Sequence, residues 1–100
     1  MEALQIMEKS YQLQIYNTLT STNGNPLDED SLFAESGLFK IVDRNQFRIE
    51  LNELLEKKEI FKVWWNNPDE PDCIPYITTS KETEYAWSVF IPKEKQYLIH

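Results

Sequence analysis

The 100-residue chain has one cysteine, one histidine and two glycines, and each scarcity removes a class of chemistry. Cys73 alone can form neither an intrachain disulfide nor a cysteine-based zinc or CxxC redox site. His100 is the last residue, so triads and HExxH-type zinc chemistry have no histidine to use. With only Gly24 and Gly37, no phosphate-cradling glycine loop can be written. No apolar run approaches the roughly 20 residues that span a bilayer. The N-terminus opens Met-Glu-Ala-Leu-Gln-Ile-Met-Glu, without the lysines of a signal peptide. The expected location is therefore the cytoplasm. Basic residues are few as well, 10 against 17 acids, for a net charge of −7. A generic polyanion binder carries the opposite balance.

What is present is a globular composition, 41% apolar with thirteen aromatics. The length is that of one domain. Residues 2–20 read as a helix, with Leu4, Met7, Tyr11, Ile15 and Leu19 on one face. Ile6, Leu13 and Tyr16 form a second stripe nearly opposite. A helix apolar on two sides is either sandwiched in a core or shared with a second subunit. The rival pattern, Tyr11, Leu13 and Ile15 alternating as in a strand, fits fewer residues.

Ser-Thr-Asn-Gly-Asn-Pro before residue 27 is turn chemistry. Asp28 then caps a short helix over 28–36, with Glu29 and Asp30 in its first turn and Gly37 as its stop. A linker of residues 38–42 leads to a second cap, Asp43. From there to Lys58 runs the clearest helix, with Phe47, Leu51, Leu54 and Leu55 on one face and Ile49 off it. Ile60-Phe61-Lys62-Val63-Trp64-Trp65 is a strand by composition. Residues 66–72 are an acidic loop, and residues 74–78 a returning strand whose Pro75 implies an edge. Thr79 and Glu82 have capping-box spacing, and behind them Tyr85, Ala86, Val89 and Phe90 fit a last helix ended by Pro92. Tyr85, Trp87, Val89 and Ile91 also alternate as a strand would; the helix is the expectation adopted. Residues 92–100 form a tail.

The order helix, helix, helix, strand, loop, strand, helix, with residues 28–79 carrying the likeness, resembles the small single-domain winged-helix (winged helix-turn-helix) proteins of bacteria and phages. The residues carrying it are the short helix ending at Ser36-Gly37, the helix Arg44–Lys58, Glu59-Ile60-Phe61-Lys62 opening the hairpin, and Tyr76-Ile77-Thr78-Thr79-Ser80. The link from Gly37 to Asp43 is longer than the usual helix-turn-helix turn. The resemblance implies an α+β fold with a two-stranded wing. It also implies a groove-reading helix 43–58 in a dimeric transcriptional regulator that binds double-stranded DNA. On that helix Arg44, Asn45, Gln46 and Arg48 are the side-chain types that pair with base edges, and Lys40 extends them as a basic strip for phosphates.

Charge is unevenly distributed along the chain. Residues 37–65 hold six bases and five acids, net +1, whereas 1–36 and 66–100 sum to −5 and −3. The loop tip, with Asp69, Glu70 and Asp72, repels phosphates where a DNA-binding wing offers Lys or Arg. The alternative is an acidic winged-helix module, or phage-type inhibitor, that binds a protein and not DNA. Its partner surface would use the acidic wing with Trp65, whereas Ile6, Leu13 and Tyr16 on the two-faced first helix are the candidates for the regulator's dimer surface. Asp28, Glu29 and Asp30 are explained by the helix start they occupy, and Cys73 has no base beside it. No catalytic residue, cofactor or metal is expected.

Overall fold

The computed structural model describes the backbone of residues 2–21, 25–68 and 70–100, and side chains from Tyr11 onward. The chain is α+β. Three helices, α1 (Glu2–Ser21), α2 (Glu29–Glu35) and α3 (Arg44–Glu56), precede three strands, β1 (Ile60–Asn67), β2 (Tyr76–Thr78) and β3 (Tyr85–Pro92).

Local chemistry explains the helix ends. The Asp28 carboxylate accepts the Ser31 amide at 2.7 Å, and Asp43 accepts that of Gln46 at 2.8 Å, each satisfying an otherwise unpaired first-turn donor. Gly37 ends α2 at φ 80°, a left-handed conformation that glycine adopts without steric cost. The linker then closes into a 3-10 turn, Leu38–Lys40, so the long connection is ordered. Lys58 takes the same left-handed position after α3, at φ 58°, where the Glu59 amide returns to the Leu54 carbonyl.

Ile15 and Leu19 of α1, Leu32 of α2, Leu38, and Phe47, Leu51 and Leu54 of α3 form one core with Ile60 and Phe90 of the sheet. Tyr11, at the start of the described side chains, packs against it. Burying these apolar surfaces supplies most of the stability, at about 25 cal/mol per Å². Gln12 adds a polar tie between helices: its amide donates to Glu50 at 3.1 Å and Glu53 at 2.5 Å, while its carbonyl accepts Lys57 Nζ at 3.2 Å.

The sheet is antiparallel in the order β2-β1-β3. Here the sequence expectation fails. The last helix does not exist; residues 85–92 are a strand paired with β1 over eight positions, from Ile60 opposite Pro92 to Asn67 opposite Tyr85. Both periods fit Tyr85 and Val89, and the ladder decides between them. Accordingly the sheet has three strands, not two, and only a 3-10 segment, Lys93–Leu98, follows it. The capping box is absent too: the Glu82 amide donates to the Asn66 side chain at 2.7 Å. Asn66 and Asn67 belong to β1, not to the loop, while Ile74 and Pro75 lie outside β2.

Adjacent residues of a strand face opposite ways. One face of the sheet meets the helices through Ile60 and Phe90. The other carries a second cluster of Val63, Ile77, Val89 and Ile91, over which Leu98 and Ile99 pack. Two single bridges widen the sheet: Leu27, between α1 and α2, pairs antiparallel with Phe90, and Ile99 pairs parallel with Ile77. Among the described residues, no helix is long and apolar enough to cross a membrane.

Candidate functional site

The two arginines expected to read DNA are brought together, but against α2. Arg44 Nη1 donates to Glu29 Oε2 at 2.8 Å and to Asp30 Oδ1 at 2.7 Å. Arg48 reaches the same Glu29 oxygen through Nε and Nη2, each at 3.1 Å. The Arg44 guanidinium also lies over the Phe33 ring, 4.6 Å from its centroid, a cation–π contact that fixes its plane. The local sequence causes this arrangement. Asp28 starts α2 so that Glu29 and Asp30 fall in its first turn, and Asp43 starts α3 so that Arg44 and Arg48, four apart, share a face.

Electrostatics follow the geometry. Burial pushes the Glu29 carboxyl up, but hydrogen bonds from Arg48 and Arg44, with their charge, outweigh it and hold it below the ordinary 4.5. Hydrogen bonds to Asp30 and Glu29 push the Arg44 guanidinium above its ordinary value.

The remaining candidates scatter. Gln46 turns along its own helix and donates to Glu50 at 3.3 Å. Asn45 is exposed, and Lys40 lies over Phe39, 5.6 Å from the ring centroid. Of the partner candidates, the Ile6 side chain and Asp69 lie outside the described residues. Glu70 and Asp72 are exposed. Leu13 is exposed at 55%, beside a groove of about 610 Å³ that Tyr16 and Leu54 also line. Tyr16 is half-buried and donates to the Glu94 carboxylate; burial, then that bond, pushes its pKa up to about 12.

Trp65 is half-buried and stacks on Trp87 across the β1–β3 ladder, ring centroids 6.2 Å apart and planes 22° apart. Trp87 and the acids Glu29 and Asp30 were not singled out as site residues by sequence reasoning. The aromatic run Trp87-Ser88-Val89-Phe90-Ile91, rich in strand-forming types, is the signal that points to Trp87. Among the described residues, no group of three His, Cys, Asp or Glu side chains is arranged to hold a metal ion. No known protein family matches the chain, and neither a curated protein nor a solved structure matches it.

Proposed function

We propose that the chain is a small winged-helix module that binds a protein partner and leaves duplex DNA alone. The observation carrying this reading is the capture of Arg44 and Arg48 by Glu29 and Asp30. A phosphate contact gains counterion release only from a cation free to make it. Here the charge of each arginine is already met by a carboxylate, so a phosphate gains less from it. The winged-helix assignment draws support from the Leu27 bridge to Phe90, which puts a one-residue strand between α1 and α2 beside β3. Residues 68–84, between β1 and β3, then correspond to the wing, and β2 is an addition folded back on the outer side of β1.

The net charge of −7 favours a partner with a basic surface, because complementary potentials speed encounter and suppress wrong pairings. The reading is tested by adding excess mixed-sequence duplex at about 50 mM salt while following the arginine Nε–H signals by NMR. The expected result is that the Arg48 signal stays at its carboxylate-bound position. Its displacement by DNA overturns the reading in favour of a DNA-binding regulator.

A further inference from the structure

The edge of β3 ends its hydrogen bonding early. Phe90 exchanges both backbone bonds with Leu27, N–H to carbonyl at 2.7 Å and the return at 3.4 Å. Phe90 therefore points its backbone groups away from β1, and its pairing with Lys62 is of the non-hydrogen-bonded kind. By the alternation of an antiparallel ladder, Ser88 and Ala86 point theirs the same way. Leu27 has no successor to meet them, because the chain turns at Asp28 into α2. Two N–H and two C=O groups thus face outward along one line, in direct continuation of an existing bridge. This edge is not blunted: it has no proline, bulge or lysine between Tyr85 and Ser88.

The space beside that edge is open. A groove of about 450 Å³ runs between β3 and the start of α2, lined by Trp87, Ser88, Asp28, Glu29 and Asp30. Next to it a hollow of about 270 Å³ is walled by Pro26, Leu27, Trp65, Trp87 and Val89. One side of the line is aromatic and aliphatic; the other carries Asp28 and the largely exposed Asp30, while the Glu29 carboxylate between them is taken by Arg44 and Arg48. An extended strand presents alternate side chains to opposite faces, so a segment alternating apolar and basic residues meets both.

We propose that the Ala86–Ser88 edge of β3 accepts an extended segment of a partner protein by strand addition, its apolar side chains seated on Trp65 and Trp87 and its basic side chains facing Asp28 and Asp30. Main-chain hydrogen bonds supply attachment, and the two unlike walls supply selectivity. This deepens the protein-binding reading above and rests on it.

The test uses a probe of defined chemistry, the capped peptide acetyl-Lys-Val-Lys-Val-Lys-Val-amide, and two versions N-methylated on either the lysines or the valines. In a strand added to an edge, one alternating set of amides bonds the sheet and the other faces solvent. The expected result is slowed hydrogen exchange at the Ala86 and Ser88 amides with the parent peptide. One N-methylated version should lose at least about tenfold in affinity while the other binds like the parent, and replacing lysine by glutamate should weaken binding comparably. Equal binding of the two methylated peptides, or unchanged exchange at Ala86 and Ser88 with millimolar parent peptide, overturns the proposal. The failures separate by location: an unmoved edge with unmoved arginine signals under DNA removes strand addition alone, whereas DNA that displaces Arg48 removes the protein-binding reading itself.

Discussion

Glu29 Oε2 lies 2.8 Å from Arg44 Nη1, joining the first turn of α2 to the first turn of α3. The same oxygen takes Arg48, so Glu29 bridges the two arginines, and with Asp30 two carboxylates balance two cations. The pairing has a pH signature. A carboxyl held below its ordinary pKa contributes stability above about 4.5, and that contribution is lost as pH falls through the folded value. Glu29→Gln should therefore be less stable than the parent at neutral pH, by about 0.5–1 kcal/mol, with the gap closing below pH 4.5. Urea denaturation at a series of acid pH values checks this; a gap that stays constant contradicts it.

The Tyr16 phenol acts at the other end of the scale. Its pKa is raised from 10.0 to about 12 in the folded chain, so its stabilisation is complete below pH 10 and lost between pH 10 and 12. Lys93, held up by its hydrogen bond to Glu59, and Tyr76, raised by burial and then by Glu82, move the same way in the alkaline range. Tyr16→Phe should consequently flatten, without abolishing, the alkaline fall in stability measured by thermal denaturation. An unchanged slope removes the Tyr16–Glu94 contact from the account.

Asn66 is fully buried and serves three segments. Its amide donates to Thr78 Oγ1 at 2.7 Å, and its carbonyl accepts the Glu82 amide at 2.7 Å. Thr78 Oγ1 in turn donates to the Ser80 carbonyl at 2.6 Å, holding the turn after β2. Asn66→Ala should cost about 2 kcal/mol and speed exchange of the Glu82 amide, since removing one partner strands the others. Exchange at Glu82 unaffected by the substitution contradicts this placement.

Helix boundaries were the most legible part of the fold because their causes are local. Asp28, Gly37 and Asp43 act within three or four residues of themselves, and each does what its chemistry dictates. The buried face of α3 was legible for the same reason, through the spacing of Phe47, Leu51 and Leu54. β3 was not, since Tyr85 and Val89 satisfy both periods and eight pairings with a strand some 25 residues away decide the matter. Asn66 reads locally as a loop residue and is a strand residue through its pairing with Tyr76 and Ala86, its side chain satisfied by Thr78 and Glu82. The site was half legible. Arg44 and Arg48 stand out as cations at a helix start, and Glu29 and Asp30 as acids at another. That the two starts face each other depends on how α2 crosses α3, which no local pattern encodes.

Whether the carboxylates of α2 keep these arginines from phosphate decides between a protein partner and DNA. The direct measurement is a fluorescence-anisotropy titration of a labelled mixed-sequence duplex at about 50 mM and 200 mM salt. Three proteins are compared: the parent, Glu29→Gln/Asp30→Asn, and that variant with Arg44→Ala/Arg48→Ala added. The parent should not bind at either salt, the carboxamide variant should bind at the lower salt, and removing the arginines should abolish the gain. Micromolar binding by the parent itself, falling steeply with salt and lost in a parent-background Arg44→Ala/Arg48→Ala protein, would contradict the account.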